Sequence, residues 1–307
     1  MSLRNLPTSF DLSDEVEYAL AHEVPVVALE STIVVHGLPA PQNREVARAC
    51  EDAIRAVGAV PATVGLLEGR VVIGLSANQL EQLCDPGVGA AKLSARDIGV
   101  ALARKESGAT TVAGTISLAA RAGIDVMATG GLGGVHRGAQ LSFDESADLT
   151  ALSRTSTLVV ASGVKSILDV AATLERLDSL GVPVLGYRTT SFPGFYLSDA
   201  GFALDWSVDG PDQAAEAFRY HRGISPTGML LANPIAPEKQ LDPALHDEAL
   251  RAALDHAERV GASGKAVTPI VLAEFARFTA GASVGVNQSL VVSNAAVAAA
   301  VAVALSS

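Results

Sequence analysis

Residues Ala128 to Thr150 read A-T-G-G-L-G-G-V-H-R-G-A-Q-L-S-F-D-E-S-A-D-L-T and decide the fold prediction. The residues from Gly123 to Thr129 predict a short buried strand that runs directly into this glycine-rich loop. Open α/β sheets bind their ligands where strands end in such loops. The stretch therefore favours an α/β fold with a functional site at the loop. The alternative is a surface loop followed by a helix with ordinary acidic capping.

The segments on either side of this loop alternate between strand and helix patterns. We predict strands at 24–29, 62–67, 71–75, 157–162, 182–187 and 229–233, and helices at 14–22, 43–57, 76–84, 94–108, 166–180 and 242–260. The residues beyond 260 are predicted to be helical, with breaks at 261–264 and at 281. This alternation predicts a three-layer α/β/α fold, in which helices cover both faces of a mostly parallel or mixed central sheet. No linker is visible, so we expect residues 1–307 to form a single domain.

The composition argues against some classes of binding partner and indicates the cellular compartment. The chain of 307 residues contains 33 acidic and 22 basic residues, for a net charge of −11. Such a surface argues against nonspecific binding to nucleic acid and against docking on anionic lipid. Two cysteines and no CxxC motif give neither a disulfide framework nor a metal motif, and no signal peptide is visible. We expect a reduced, cytoplasmic setting.

One apolar stretch near the end of the chain calls for a test against a membrane span. Ser289 to Leu305 reads S-L-V-V-S-N-A-A-V-A-A-A-V-A-V-A-L. It is short for a span, contains Asn294 and lacks flanking Lys or Arg. We predict a helix that is buried in the protein core or between subunits, and no membrane span.

The glycine run does not match the common nucleotide-binding or hydrolase motifs. His136 stands where a dinucleotide fingerprint has its third glycine, and the chain contains no P-loop GK[ST] and no GxSxG elbow. It also lacks HExxH and any His/Cys cluster, which makes zinc a poor candidate. Because the dinucleotide fingerprint and the P-loop are missing, nucleotide cofactors are poor candidates as well.

Lys165 and Glu30 are the candidate catalytic side chains. Lys165 lies in V-V-A-S-G-V-K-S-I-L-D, between a predicted buried strand and the predicted first turn of a helix, and both surroundings favour an uncharged amine. A neutral amine can attack a sugar or aldehyde carbon and form a Schiff base. Glu30 ends another predicted strand, where partial desolvation would suit it to donate a proton. The alternatives are a lysine that reaches water and a carboxylate that caps the next turn.

Two further charged residues are candidates for ligand binding. The carboxylate of Asp144 could bind a hard divalent cation such as Mg²⁺ or Mn²⁺. Lys92 follows a Pro/Gly loop and could pair with a phosphate, although a solvated surface lysine is the commoner case.

Several stretches together resemble the pseudouridine-5′-phosphate glycosidase family, also called indigoidine synthase A-like. They are A-L-E-S-T-I-V-V-H-G-L-P-A-P-Q-N from Ala28, P-A-T-V-G from Pro61, G-A-T-T-V-A-G-T from Gly108, T-G-G-L-G-G-V-H-R-G from Thr129, F-D-E-S-A-D-L-T from Phe143, G-V-K-S-I-L-D from Gly163, A-N-P-I from Ala232 and S-G-K-A-V-T-P from Ser263. They cover nearly the whole chain in order. The sequence departs from the family's usual residues after Lys92, with L-S-A-R-D, and after Asn287, with V-S-N-A.

The resemblance implies an enzyme that reversibly cleaves the C–C glycosidic bond of pseudouridine 5′-phosphate to uracil and ribose 5-phosphate. It further implies a homotrimer with Mn²⁺ as cofactor. By position, the implied roles are Lys165 as nucleophile, Glu30 as proton donor, Asp144 as metal ligand, and Lys92, Val112, Ser146, Ala147, Asp148 and Asn287 as substrate-binding residues. Two rivals stay open: an enzyme of the same scaffold that acts on another C-glycoside or pentose phosphate, and a non-catalytic sugar-phosphate sensor.

Overall fold

The computed structural model describes residues 6–262 and 267–307, so part of the Ser263 motif, residues 263–266, lies outside the described residues. The described chain contains strands β1 Phe10–Leu12, β2 Val26–Glu30, β3 Val60–Leu67, β4 Arg70–Ile73, β5 Ala91–Leu93, β6 Gly108–Thr110, β7 Val126–Ala128, β8 Val135–His136, β9 Leu158–Ala161, β10 Leu168–Asp169, β11 Val184–Tyr187, β12 Trp206–Val208 and β13 Met229–Ala232. The strands β2, β6, β7, β9 and β13 are buried along their whole length, as expected for a sheet covered on both faces.

Eleven of these strands form one mixed sheet, whose main path is β1-β4-β3-β2-β7-β9-β13-β11-β12. The central run from β3 to β12 is parallel. Strands β4 and β6 run antiparallel to β3, and β5 pairs with β6. Because β2, β7 and β9 are parallel neighbours, their carboxyl ends lie side by side at one edge of the sheet. Strands β8 and β10 form a separate antiparallel pair.

Helices cover both faces of this sheet and confirm the predicted three-layer α/β fold. They are α1 Asp14–Ala21, α2 Gln42–Val57, α3 Ala77–Cys84, α4 Ile98–Ala103, α5 Val112–Ala122, α6 Ala139–Ser142, α7 Ala147–Leu152, α8 Val170–Ser179, α9 Pro211–Ile224, α10 Pro243–Arg259, α11 Val267–Phe278 and α12 Ala282–Ser306. Helix α12 packs against α2, α9 and the central strands, whereas α5 packs with α7 and against β2 and β3.

Local sequence signals explain several of the element boundaries. Helix α3 begins at a capping box, in which the Gln79 amide donates to Ser76 Oγ at 3.3 Å and the Ser76 amide donates to Gln79 Oε1 at 2.9 Å. Helix α2 ends at Gly58, whose φ of 94° is the left-handed conformation that glycine adopts freely. Strands β3 and β4 form an antiparallel hairpin across Glu68 and Gly69.

Two predicted helices were wrong in extent. The helix predicted at 166–180 begins only at Val170, because Asp169 caps it by accepting from the Ala172 amide at 3.0 Å and β10 occupies the residues before it. Lys165 therefore lies in a loop and not at a helix N-terminus. The helix predicted at 94–108 ends at Ala103, and β6 follows it. The elements that were not predicted include helices α5, α6 and α9 and the short strands β1, β5, β6, β8, β10 and β12.

The apolar C-terminal helix is part of the core of this chain. By length and composition, helix α12 is apolar enough to cross a membrane. An 18-residue stretch of it has a mean hydropathy of 2.0, and 44% of that stretch is buried inside the protein. Its contacts with α2, α9 and the sheet show that it packs on the core of this chain, which is one of the two placements predicted from the sequence.

Candidate active site

A cavity of about 260 Å³ lies at the carboxyl ends of β2, β7 and β9. Every residue nominated from the sequence lines it: Glu30, Lys92, Val112, Asp144, Ser146, Ala147, Asp148, Lys165 and Asn287. These residues are up to 257 positions apart in the chain, from Glu30 to Asn287, and the parallel sheet brings them together. The ends of parallel strands are where open α/β proteins place their ligands.

Glu30 is the last residue of β2 and is only 8% exposed. Its carboxylate accepts hydrogen bonds from the Thr32 hydroxyl and, at 2.5 Å, from the Thr129 hydroxyl. Within the described chain its hydrogen bonds come from hydroxyl groups and not from the backbone amides that a capping carboxylate would accept. Two hydrogen bonds to a carboxylate fix its orientation, so the acid is held in place at the cavity wall.

Lys165 enters the same cavity from the loop after β9. Its side chain is half-buried, and its ammonium nitrogen Nζ donates to the Gly131 carbonyl at 2.7 Å. The Lys165 backbone is fixed as well, because its amide donates to the Leu132 carbonyl at 3.1 Å. This geometry does not fit a lysine whose head extends into bulk water. The amine is tied to the glycine loop, although not by the helix terminus that the sequence predicted.

The glycines of this loop are required by close approach and not by backbone conformation. None of Gly130, Gly131, Gly133 and Gly134 has a left-handed φ. A Cβ on Gly131 would stand 2.5 Å from the Phe195 ring, and one on Gly133 would stand 2.7 Å from the Asp148 carboxylate. Both distances are shorter than carbon and oxygen atoms tolerate, so only glycine lets these side chains pack on the loop.

Asp148 connects this loop to helix α5. It is 5% exposed, and its two carboxylate oxygens accept hydrogen bonds at 2.9 Å from the Ala113 and Gly133 amides. Ser146 caps helix α7, with its hydroxyl accepting from the Asp148 amide at 3.2 Å. The contacts of Asp148 indicate a role in holding the cavity wall. Its direct contact with substrate stays a prediction.

His136 is a cavity residue that lies in the motif stretch but that sequence reasoning did not select. Its backbone amide donates to the Asp144 carbonyl at 3.0 Å, and its Nδ1 is 4.0 Å from Asp144 Oδ2. Burial lowers the pKa of His136, the carboxylate of Asp144 opposes that shift, and the charges of Lys165 and Lys92 add to it. The ring therefore lies within electrostatic reach of both lysines and beside the acid. Its place two residues after the last glycine of the loop was the available signal.

The residues that could hold a divalent cation are few. Among the described residues, no group of three or more His, Cys, Asp or Glu side chains is arranged to hold a metal ion. Asp144 is half-buried and faces the cavity, so it could serve as a single protein ligand. Mg²⁺ and Mn²⁺ keep several waters and are often bound by one or two carboxylates together with substrate oxygens. The site fits such an ion and does not fit zinc.

One side of the cavity is basic and can receive an anion. Lys92 of β5 and Arg96 line it, together with Thr111 and Val112 at the start of the eleven-residue helix α5. A helix N-terminus and cationic side chains both favour a phosphate group. Arg96, Thr111 and the α11 residues Thr268, Pro269 and Leu272 also line the cavity but were not nominated from the sequence, although Thr111, Thr268 and Pro269 lie in stretches that carry the family resemblance.

Comparison with known proteins identifies the family. The model of the family described as indigoidine synthase A like protein matches residues 15–304. The chain belongs to this family. Its relatives include pseudouridine-5′-phosphate glycosidases from Salinispora tropica, 56% identical over 97% of this chain and 93% of the relative, and from Streptomyces griseus, 54% identical over 95% and 91%.

Solved structures of family relatives have the same fold. The prealnumycin C-glycosynthase AlnA, solved in complex with ribulose 5-phosphate, is 40% identical, with a TM-score of 0.90 over 98% of both chains. An indigoidine synthase A-like protein from Thermotoga maritima is 33% identical, with a TM-score of 0.89 over the whole of both chains. The chain is thus similar to indigoidine synthase A-like proteins in sequence and in three-dimensional fold.

Proposed function

We propose that this protein is an enzyme that reversibly cleaves the C–C glycosidic bond of pseudouridine 5′-phosphate, giving uracil and ribose 5-phosphate. The proposal rests on one observation: the oriented amine of Lys165, the buried carboxyl group of Glu30 and a group of basic residues line the same cavity. The names of the relatives with 50–56% identity support this substrate. The bound sugar phosphate of the AlnA structure supports sugar-phosphate chemistry.

The reaction requires an electron sink, because a carbon–carbon bond has no heteroatom leaving group. In the proposed first step the neutral amine of Lys165 attacks C1′ of the ribose, the C1′–O4′ bond breaks, and protonated Glu30 gives its proton to O4′. The ammonium formed on Lys165 then returns a proton to the Glu30 carboxylate. In the second step the freed nitrogen lone pair forms an iminium at C1′ while the C1′–C5 bond breaks and Glu30 passes its proton to C5 of uracil. Water then hydrolyses the iminium, which releases ribose 5-phosphate, returns the free amine and gives a proton back to Glu30.

The surrounding residues account for binding and orientation. Lys92 and the start of α5 would receive the phosphate, with Val112, Ser146, Ala147 and Asp148 along that wall. Asn287 and Phe195 line the cavity near the lysine and would contact the base or the sugar. We propose that Asp144 binds Mn²⁺, which when bound supplies positive charge opposite substrate oxygens.

The same geometry allows a second candidate substrate. The AlnA relative is a C-glycosynthase that was solved with ribulose 5-phosphate. Another C-glycoside or pentose phosphate is therefore the alternative for this chain. Side-by-side assays with pseudouridine 5′-phosphate, uridine 5′-phosphate and unphosphorylated pseudouridine separate these possibilities, because the proposed activity requires both the C-glycosidic bond and the phosphate.

Lys165→Ala tests the mechanism. With Mn²⁺ present, we expect the wild type to release uracil from pseudouridine 5′-phosphate and Lys165→Ala to lose this activity by about 10³-fold or more, since the nucleophile is gone. Borohydride with ribose 5-phosphate should trap a mass adduct on the wild-type Lys165 peptide. Lys239→Ala, at an exposed lysine, is the control and should keep both readouts. Normal turnover by Lys165→Ala contradicts the assignment.

The assembly and compartment are part of the proposal. We propose a homotrimer in the cytoplasm that acts on small molecules, without nucleic acid or membrane partners. The net charge of −11 and the core packing of α12 support the absence of such partners. Sedimentation equilibrium gives the number of subunits directly, and a monomer or dimer at micromolar concentration contradicts the trimer.

A further inference from the structure

Asn294 lies outside the cavity, in the middle of the apolar helix α12, and is fully buried. A buried amide without partners costs about 1–3 kcal/mol on mutational evidence, so its presence in a run of alanine and valine needs a physical reason. Its side chain has partners on all sides. The amide nitrogen Nδ2 donates to the Thr129 carbonyl at 2.8 Å and to the Ser162 hydroxyl at 3.1 Å, and the oxygen Oδ1 accepts from Asn233 at 2.8 Å.

These partners lie at the ends of adjacent strands. Thr129 follows β7, Ser162 follows β9 and Asn233 follows β13, and the sheet places these strands side by side. The nitrogen also approaches the Gly130 carbonyl at 3.3 Å. One side chain of the helix thus connects the carboxyl ends of three parallel strands, at the point where the cavity begins.

The segment that Asn294 holds carries the contacts of both candidate catalytic groups. The Thr129 hydroxyl donates to Glu30, and the Gly131 carbonyl, two residues later, accepts from the Lys165 amine. A shift of the backbone between these residues would change the position of the acid and of the amine together. Resting on the proposed function, we propose that Asn294 is a positioning residue that sets the relative placement of Glu30 and Lys165 through this backbone.

A purely structural role for Asn294 makes a different prediction. Helix α12 is already anchored by buried apolar residues, among them Val301, which is fully buried seven residues later and is free of polar contacts. If Asn294 served only to fix the helix, Asn294→Ala and Val301→Ala would both lower the melting temperature. The folded enzyme would then keep the wild-type kcat in both variants. The catalytic readouts below separate these roles.

The test compares Asn294→Ala, the control Val301→Ala, Thr129→Val and the double variant Asn294→Ala with Thr129→Val. Activity is measured at 15 °C on protein shown to be folded by circular dichroism. We expect Asn294→Ala to lower kcat by about 10- to 100-fold, because displacement of reacting groups by an ångström has effects of that size. KM should change by less than about threefold, since none of the hydrogen bonds of the Asn294 side chain goes to a proposed phosphate-binding residue. Val301→Ala should keep kcat within about twofold of wild type.

The double variant tests the route of the effect. Thr129→Val removes the hydroxyl contact with Glu30, which is one of the two contacts that Asn294 is proposed to position, so the loss in the double variant should be smaller than the product of the two single losses. Multiplying losses, or a kcat for Asn294→Ala equal to that of Val301→Ala, overturns the proposal. Should Asn294→Ala fail to fold, Asn294→Leu replaces it, because it has nearly the same shape while it loses the donor to Thr129.

A readout without substrate separates this inference from the proposed function. Lys165 can be labelled with an amine-reactive acetylating reagent and its peptide quantified by mass spectrometry. We expect the labelling rate of Lys165 to rise by about threefold or more in Asn294→Ala, relative to Val301→Ala, as the Gly131 contact loosens. Failure of the wild type to release uracil refutes the function alone. An unchanged labelling rate refutes the positioning role.

Discussion

The floor of the cavity, Thr129–Gly134, and the segment Gly138–Phe143 are separated by three residues and differ in exposure and in hydrogen bonding. We call Gly138–Phe143 the rim, because it lies in the chain between the cavity residues His136 and Asp144 without lining the cavity itself. Every residue of the floor is buried, and its backbone is bonded to neighbouring strand ends, with the Thr129 amide to Val160 and the Leu132 amide to Gly163. The rim is bonded mainly to itself, within the short helix α6. Two of its apolar side chains, Leu141 and Phe143, are 85% and 86% exposed.

This difference indicates a division of labour between the two segments. Hydrogen bonds and close packing fix the floor, so that it can hold the reacting groups in one arrangement. The rim has few tertiary contacts, and segments of that kind open and move at low cost. We therefore expect substitutions in the floor to lower turnover. Substitutions in the rim should either affect only the binding of ligand or metal or have no effect on activity.

Gly133→Ala gives the largest expected effect. Its new Cβ would lie 2.7 Å from the Asp148 carboxylate and against the Ser146 side chain, so the loop or helix α7 must shift. We expect kcat/KM for uracil release to fall by about 10²-fold or more, and the free energy of unfolding to fall by about 1–3 kcal/mol. Initial rates and urea denaturation measure the two quantities.

Gly138→Ala is the matched control on the rim. Gly138 has a left-handed φ of 80°, but no atom lies within 4 Å of an added Cβ. We expect a loss of about 1–2 kcal/mol from the backbone conformation, with kcat/KM almost unchanged. If Gly138→Ala impairs turnover as much as Gly133→Ala does, the distinction between floor and rim is wrong.

Asp144→Ala gives an intermediate effect, and it directly follows the rim. Because Asp144 is the proposed metal ligand, its removal should raise the Mn²⁺ concentration needed for half-maximal activity. We expect about a tenfold loss at limiting Mn²⁺ that excess metal partly restores, as for the loss of one ligand among several oxygens. Titration of Mn²⁺ against initial rate measures this shift, and an identical Mn²⁺ dependence for variant and wild type counts against the role of Asp144.

The sequence predicted the location of the site better than the contacts that hold its residues in place. Strand ends at Glu30 and Ala128 are readable from apolar runs that stop at polar residues, and parallel strands place such ends together. Residue patterns also nominated Lys92, Asp144 and Lys165. Family resemblance alone supplied Val112, Ser146, Ala147, Asp148 and Asn287, and all of these residues line the cavity. The fold class followed from the alternation of strand and helix patterns, and the structure and its relatives confirm it.

The details that sequence reasoning missed depend on tertiary contacts. The sequence placed Lys165 at a helix terminus, but Asp169 caps the helix four residues later, because a capping signal at Asp169 competes with the apolar run before it. The role of Asn294 could not be predicted either, since its partners Thr129 and Asn233 lie far away in the chain. The strand pair of β8 and β10 is too short to leave a period-two pattern.

Phe143→Asn gives the smallest expected effect and tests whether the rim is free. Phe143 has a φ of 55°, a left-handed conformation that costs a phenylalanine about 1 kcal/mol and that asparagine tolerates better. Because its ring packs on little within the chain, we expect the free energy of unfolding to rise by up to about 1 kcal/mol and kcat/KM to stay within about twofold. Urea denaturation and initial rates measure both.

Leu141→Asn controls for the change in chemistry, because Leu141 is equally exposed but is not among the residues with a positive φ. It should show no gain in stability, since it relieves no backbone strain and asparagine is the poorer helix former.

A loss of stability in Phe143→Asn that depends on protein concentration would have a different cause. A monomer has no such dependence, so the ring would then be buried against a second copy of the chain. In that case the rim would belong to a subunit interface, and its exposure in the isolated chain would be a consequence of the missing neighbour and not of a free, mobile edge.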